Sequence, residues 1–265
     1  MDTVFDVAGA VNAPALLLVH GSVVTRKMWL PQLPGHGALA HVPFTFAAAA
    51  QTLAELVLQE TQGRALVAGL SLGGYVAIEF ACRHPDLVSG LVLSGCSVNF
   101  DGMLGVYLKL VSGLMQRGWL KQSRAQAEQK TRRMFPPALA DVAEAQLQAG
   151  VCPEPLGPSF AEMAGKDFTV PLAKYPGPSM ILNGERDTAA RRGEAKFVAA
   201  MREGRVQVVP DAGHACNLDQ PEAYNQAVRA FGQAIGWAAS EAGKVAVGGA
   251  VAHSATTSSL QTVRD

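Results

Sequence analysis

The chain has 265 residues, a mass of 27.8 kDa and a formal net charge of zero, because 22 basic and 22 acidic side chains balance. Hydrophobic residues make up 49% and charged residues 17%, a composition that supports a large buried core and excludes disorder over most of the length. The sequence lacks the clusters of four or more Lys and Arg residues that are typical of nucleic-acid binders. It also has no apolar run near the roughly 20 residues of a membrane span.

The N-terminus and the cysteines indicate the cellular compartment. The first six residues are partly acidic, whereas a secretory signal would carry positive charge and then an apolar stretch. The cysteines at 82, 96, 152 and 216 lie far apart without C-x-x-C spacing, which suits neither a zinc site nor a disulfide scaffold. The sequence therefore predicts a cytoplasmic protein with reduced thiols.

Short apolar runs alternate with helix-period segments along most of the chain. The runs are typical of strands covered on both faces, and they lie at 4–7, 15–19, 65–68, 90–94, 179–182 and 206–209. The helical segments between them are rich in alanine and span 45–62, 72–84, 189–202 and 221–235. This alternation predicts an α/β fold, a mainly parallel sheet flanked by helices.

The stretch 97–178 breaks the alternation, because it has helical periodicity and turns but no convincing strand. Helices are predicted at 104–115, 121–134 and 138–149, followed by a Pro/Gly-rich linker at 152–158. We interpret 97–178 as a helical cap on a core formed by 1–96 and 179–239. Residues 240–265 lack periodicity and are predicted to be a disordered tail.

A G-x-S-x-G pentapeptide at residues 69–73 separates an apolar run from the helix that begins near Leu72. A serine nucleophile needs a tight turn from strand to helix, and the glycines remove Cβ atoms that would collide there. The N-terminus of the helix offers unpaired N–H groups to a developing oxyanion. Ser71 is therefore the candidate nucleophile, and a plain helix cap is its alternative role.

A histidine and an acidic residue complete a possible catalytic triad. His214 follows the apolar run 206–209, at the strand end where α/β sheets hold their ligands. Asp187 lies just beyond 179–182 and gives the chain order Ser, acid, His. Glu185 is the alternative acid. The alternative for His214 is a capping or core role. The alternative for Asp187 is an ordinary loop or helix-cap role.

Acyl transfer also requires two donors for the oxyanion. The backbone N–H of Leu72, next to the candidate nucleophile, is the first. His20, Gly21 and Ser22 follow the run 15–19, so the backbone N–H of Ser22 can point at the same position. The alternative is a generic glycine turn at the end of a strand.

These four segments together resemble the α/β-hydrolase fold superfamily over roughly residues 4–236. Within it the chain is similar to capped carboxylesterases, enol-lactonases and C–C-bond hydrolases, because it also has Trp29 after the His20-Gly21 turn, residues 33–37, His84-Pro85 and residues 217–222. The resemblance implies a metal-free serine hydrolase with a helical lid, and no cofactor is expected.

One segment departs from the family pattern. Relatives usually have a strand between a Trp-x-Pro-Gln segment and an Asp-x-Pro-Gly-His-Gly turn, whereas here residues 29–32 run straight into 33–37. We therefore expect one sheet strand to be missing beside 15–19, with Gln32 in place of the family's Asp. Residues 42–46 are a candidate substitute strand. The loss is expected to disturb the support beneath Ser22 and to reduce activity.

The leading hypothesis is hydrolysis of a carboxylic ester or related acyl bond of a small, mostly apolar substrate through an acyl-enzyme on Ser71. Substrate contacts are predicted for Trp29 and for Leu104 and Leu108 on the first cap helix, with medium-chain acyl groups preferred over acetate and no basic cluster in the cap selecting charged substrates. Cleavage of an activated C–C bond, acyl transfer to an acceptor other than water, and a non-catalytic binding protein are the alternatives.

Overall fold

The computed structural model describes residues 5, 8, 13–24, 29, 32–120, 123–148 and 150–237. Five parallel strands form one sheet in the order β1 to β5. They are β1 (Ala15–Val19), β2 (Ala65–Leu70), β3 (Val88–Ser94), β4 (Pro178–Gly184) and β5 (Glu203–Val209). The predicted α/β class and mainly parallel sheet are confirmed.

Ten α-helices accompany the sheet within the described residues. They are α1 (Phe46–Glu60), α2 (Leu72–Arg83), α3 (Gly102–Gln116), α4 (Arg124–Met134), α5 (Ala140–Gln148), α6 (Leu156–Met163), α7 (Thr169–Leu172), α8 (Thr188–Ala200), α9 (Cys216–Asp219) and α10 (Pro221–Ala234). Every predicted helix forms, with its ends shifted by three residues or fewer. None of these helices is both long and apolar enough to cross a bilayer.

The core has two layers, one on each face of the sheet. Alternate residues of the central strands point to opposite faces, so Val67 packs with α1 and α2 whereas Leu66 packs with α10. All six residues of β2 are buried, which explains its unbroken apolar sequence. β5 is an edge strand, and only Val209 of its seven residues is buried.

No strand lies between β1 and α1 among the described residues, and β1 pairs there with β2 alone. The suggested substitute strand at 42–46 is wrong, because Phe46 begins α1 and the residues before it are not in a strand. The physical reason is helix capping: the Thr45 side chain accepts a hydrogen bond from the N–H of Ala48, 3.0 Å away, and a run of alanines favours the helix. The predicted strand at 4–7 falls mostly outside the described residues.

Within its described residues, the segment 97–178 holds α3 to α7 and no strand before Pro178, which begins β4. The linker predicted at 152–158 is partly wrong, because α6 begins at Leu156. Pro158 lies in the first turn of that helix, where its missing N–H breaks no helical hydrogen bond. The end of the segment packs into the main core, where Phe168, Leu172 and Tyr175 are buried. The separate cap boundary at 178 stays a prediction.

Candidate active site

The carboxyl ends of the strands bring the candidate residues to one edge of the sheet. Val19 at the end of β1 pairs with Gly69 in β2, and Gly69 pairs with Leu93 in β3. Gly184 and Val209, the last residues of β4 and β5, pair with each other. The loops that follow all five strands therefore begin side by side, as in ligand sites of α/β sheets.

Ser71 occupies a strained turn between β2 and α2. Its φ and ψ are 55° and −120°, a conformation that non-glycine residues rarely adopt and that costs about 1–3 kcal/mol. A Cβ on Gly69 would lie 2.4 Å from the carbonyl oxygen of Gly73, and a Cβ on Gly73 would lie 2.1 Å from that of Val19. The backbone N–H of Ser71 donates to Ser94, 2.8 Å away. The serine side chain makes no capping hydrogen bond, which disfavours its alternative role as a plain cap.

Asp187 and His214 meet across the loops that follow β4 and β5. Nδ1 of His214 lies 2.7 Å from Oδ2 of Asp187. The other carboxylate oxygen caps α8 by accepting from the N–H of Ala190, 3.3 Å away. Burial alone would raise the pKa of Asp187, but the hydrogen bond and charge of His214, together with the Ala190 N–H, hold this pKa below its usual value. The carboxylate is thus ionised at neutral pH and fixes the orientation of the imidazole.

Glu185, the alternative acid, has a different partner. Its Oε2 accepts a hydrogen bond from the backbone N–H of Asp211, 3.0 Å away. The N–H of Arg186 donates to the carbonyl oxygen of Ala212 at 2.8 Å. These contacts join the loop after β4 to the loop that carries His214. The structure therefore brings Asp187 to the imidazole and uses Glu185 to hold the two loops together.

Sequence reasoning did not identify Gly95, which contacts His214, or Asn183, which binds Gly95. A Cβ on Gly95 would lie 2.7 Å from Cε1 of His214, so this glycine packs directly on the imidazole. The N–H of Gly95 donates to Oδ1 of Asn183, 2.8 Å away. A glycine immediately after the predicted strand at 90–94 was an available signal, whereas nothing in the sequence pairs Asn183 with it. Asp219, inside the motif at 217–222, accepts from the N–H of Gly213 at 2.7 Å.

The loop after β1 lies against the turn of Ser71. A Cβ on Gly21 would be 3.5 Å from Cβ of Ser71, so Ser22 follows directly after this contact. Leu72 is the first residue of α2, where a backbone N–H has no acceptor in its own helix. Beyond Ser22, Val23 has a φ of 71° and accepts a hydrogen bond from the N–H of Cys152 at 3.0 Å. The segment between β3 and β4 therefore holds this loop in place.

A buried pair of histidines supports the same loop. Nδ1 of His20 lies 2.7 Å from the carbonyl oxygen of Gly21, and the N–H of Leu33 donates to its Nε2 at 3.4 Å. His36 contacts His20 edge to face, with ring centroids 5.0 Å apart. Burial lowers the pKa of His20 to about 3, with a further lowering by His36, and burial lowers that of His36 to about 4. Both rings are therefore neutral at physiological pH. Gln32 is also buried.

The three residues predicted to contact substrate lie in different environments. Trp29 is buried and packs on Tyr224, with ring centroids 5.8 Å apart. Leu108 is buried in the other layer of the core, and Leu104 is exposed. The structure does not bring these three side chains into one packed cluster. A group of three or more His, Cys, Asp or Glu side chains that could hold a metal ion is absent from the described part of the chain.

Comparisons with known proteins identify a family and similar folds. Residues 16–227 match the model of a family described as the alpha/beta hydrolase family. A pimeloyl-[acyl-carrier protein] methyl ester esterase from Aromatoleum aromaticum is 26% identical over 247 residues, covering 80% of this chain and 95% of that protein. The structure of a thermophilic esterase from Thermogutta terrifontis has a TM-score of 0.70 at 26% identity, covering 87% and 93%. MenH from S. aureus, at 16% identity and a TM-score of 0.70 over 88% and 98%, shares the fold.

Proposed function

We propose that this chain, which belongs to the alpha/beta hydrolase family, hydrolyses a carboxylic ester through an acyl-enzyme on Ser71. The observation that carries the proposal is the 2.7 Å contact between His214 and a buried carboxylate, at the same sheet edge as a serine held in a strained turn. A nucleophile, a base and a group that orients the base are the parts that covalent acyl transfer needs.

The reaction follows from these positions. Oγ of Ser71 attacks the ester carbonyl carbon while Nε2 of His214 takes its proton, and Asp187 stabilises the resulting imidazolium through Nδ1. The backbone N–H groups of Leu72 and Ser22 donate to the tetrahedral oxyanion. The imidazolium then protonates the leaving alkoxide, which leaves an ester on Ser71. A water molecule, deprotonated by His214, attacks this ester and releases the acid and the free serine.

The surroundings of His214 support this role. A hydrogen bond from Nδ1 to an ionised carboxylate leaves Nε2 unprotonated in the neutral imidazole, which is the form that accepts a proton. The histidine side chain is 50% exposed, so water has access for the deacylation step. The backbone of Gly95 limits movement of the ring on one side.

The substrate class follows less directly. Two relatives at 26% identity are described as a methyl ester esterase and an esterase, which supports an ester rather than a C–C bond. We propose a small, mostly apolar acyl group. The three predicted contacts do not form one pocket for it, because Trp29 and Leu108 lie in different layers of the core and Leu104 is exposed. Each additional buried methylene would contribute about 0.8 kcal/mol. From p-nitrophenyl acetate to octanoate, kcat/KM should therefore rise about fourfold for each added carbon until the pocket is filled.

A fluorophosphonate probe tests the nucleophile. It should label the wild-type protein and fail to label Ser71→Ala, because the probe reacts with an activated serine. Ser89→Ala is the matched control, since Ser89 lies near the start of β3, away from the carboxyl ends of the strands, and its labelling should persist. Absence of labelling in the wild type would favour a non-catalytic binding protein.

Hydrolysis and acyl transfer share every step up to the acyl-enzyme. They are distinguished by product analysis of a p-nitrophenyl ester in the presence of a short alcohol. Free acid as the main product supports hydrolysis, whereas a new ester as the main product supports transfer. Turnover of a vinylogous diketone without turnover of any ester would favour C–C cleavage.

A further inference from the structure

Helix α3 presents apolar side chains to solvent along one face. We define the α3 patch as this face together with the two apolar residues that follow the helix; its members are 46% to 89% exposed, and they are Met103, Val106, Tyr107, Leu110, Trp119 and Leu120. Residues 103, 106, 107 and 110 have the spacing of a single helix face. Clustered exposed apolar side chains usually mark an interaction site.

The opposite face of α3 is fixed by close packing. A Cβ on Gly105 would lie 2.2 Å from the carbonyl oxygen of Phe100, so the helix approaches the backbone there. The Ser112 hydroxyl donates to the carbonyl oxygen of Gly157 on α6 at 2.8 Å, and Leu108 between them is buried. Because small residues set this contact, α3 cannot rotate to bury the α3 patch without losing it.

The segment of sequence that carries the α3 patch is basic. Residues 102–134 carry seven basic side chains and one acidic side chain, although the whole chain is neutral. Arg124 pairs with Glu128 at 3.4 Å and Arg132 pairs with Glu144 at 2.8 Å. Four exposed cations have no ion-pair partner within the described residues, and they are Lys109, Arg117, Lys130 and Arg133. The expectation that no basic cluster selects charged substrates stays a prediction.

We propose that the α3 patch and its basic surroundings bind an anionic lipid surface. Apolar side chains on a convex helix can insert at the boundary between headgroups and acyl chains, and Trp and Tyr favour that depth. Lysine and arginine side chains beside them then interact with phosphate groups. Lys109 and Arg117 lie within and at the end of the same helix as the apolar side chains, and this combination is the pattern of a surface-binding segment.

Two other occupants fit less well. A second copy that apposed the same patch would bring two sets of unpaired cations together, which costs energy. An acidic protein would match the charge, but protein hot spots are usually buried in well-packed pockets, whereas the patch side chains are 46% to 89% exposed. A deformable lipid surface requires no such shape match.

Vesicle sedimentation with the full chain tests the proposal. The probe is large unilamellar vesicles of 70% phosphatidylcholine and 30% phosphatidylglycerol, compared with pure phosphatidylcholine. Binding to the anionic vesicles should be at least tenfold tighter and should weaken with added salt. Met103→Gln with Leu110→Gln should weaken binding at least tenfold. Lys109→Glu with Arg117→Glu, at the two exposed cations of α3 and its C-terminal end, should weaken it by more than about 25-fold, at about fivefold for each charge removed.

Matched controls separate the patch from general surface effects. Leu58→Gln with Val170→Gln changes two exposed apolar residues elsewhere, and Lys174→Glu with Arg202→Glu changes two exposed cations elsewhere. Both control pairs should bind within twofold of wild type, and circular dichroism should show that all variants fold. Lack of vesicle binding by the wild type, equal binding to neutral vesicles, or equal losses in the control pairs would overturn the proposal. An oligomer that the patch substitutions dissociate would assign the surface to a second copy, and salt-sensitive binding to an acidic carrier protein alone would assign it to a protein partner.

Discussion

Gly95 packs its backbone directly against the imidazole ring of His214. A Cβ at position 95 would lie 2.7 Å from Cε1 and 2.9 Å from Nδ1 of that ring, distances at which the ring has to move. Nδ1 is also the atom that bonds Asp187. The glycine after β3 therefore determines where the ring can lie.

We expect Gly95→Ala to lower kcat for a p-nitrophenyl ester about 100-fold with little change in KM, because a shift of the base by about 1 Å has this effect. Gly102→Ala is the matched control. Gly102 has a φ of +55°, close to the +60° of Gly95, but nothing lies within 4 Å of its added Cβ. Both substitutions should cost similar stability, and only the first should reduce kcat. Equal kcat values would show that the ring is held by other contacts.

The two oxygens of Asp187 have separate functions that substitutions can separate. Asp187→Asn keeps an acceptor for the Ala190 N–H but favours the wrong imidazole tautomer, so kcat should fall on the order of 10⁴-fold with little change in melting temperature. Asp187→Ala should also lose about 1 kcal/mol of stability with the helix cap. Glu185→Gln keeps an acceptor for the Asp211 N–H and should retain activity within a few-fold. A larger loss in Glu185→Gln than in Asp187→Asn would contradict the assignment.

The candidate site was largely predictable because its signals are local. Ser71, Asp187 and His214 each lie within five residues of the end of an apolar run, and the α/β alternation alone brings the ends of parallel strands together. The contacts between segments were not predictable. The bond between Val23 and Cys152 joins residues far apart in sequence, and no composition signal marks either partner.

Helix α3 shows why periodicity could not predict which side of this helix is exposed. Its sequence is apolar on both sides, so the pattern gives two stripes and does not say which one is buried. Leu104 and Leu108 were both predicted to contact substrate, yet Leu108 is buried and Leu104 is exposed. Gly105 and Ser112 decide the orientation, because the backbone approach of α3 is possible only where side chains are small.

The buried histidine pair predicts a loss of stability in mild acid. The folded-state pKa values of His20 and His36 are about 3 and about 4, below the value of 6.5 for an exposed histidine. Below pH 6.5 the unfolded chain binds protons that the folded chain does not, so stability is full above pH 6.5 and falls as the pH drops towards 4. At pH 5 each ring should lower the free energy of unfolding by about 2 kcal/mol relative to neutral pH.

Urea denaturation at pH 7.5 and pH 5 measures this effect. His36→Asn retains a side-chain donor for the Pro34 carbonyl oxygen, which Nδ1 of His36 contacts at 3.0 Å, and removes one titrating ring. Its free energy of unfolding should change with pH by about 2 kcal/mol less than that of the wild type. His41→Asn removes an exposed histidine. Its free energy of unfolding should change with pH by the same amount as that of the wild type. Parallel behaviour of all three proteins would mean that the pair does not control acid stability.

Trp237, the last residue that the structure describes, packs against β1 and α10. From periodicity alone, removal of everything after about Gly236 is expected to be harmless, and the structure changes this expectation for one residue. Nε1 of Trp237 donates to the carbonyl oxygen of Ala15 on β1 at 2.9 Å, and its ring lies against Gly232 of α10.

We expect a chain ending at Trp237 to keep the wild-type melting temperature. A chain ending at Gly236 should lose about 2 kcal/mol of stability, from one hydrogen bond and the buried part of an indole. That loss corresponds to about 4–8 °C in calorimetry. Trp237→Ala in the full chain should reproduce it, because the substitution leaves the length unchanged. Equal melting temperatures of the two truncated chains would show that the indole adds nothing to the edge of β1.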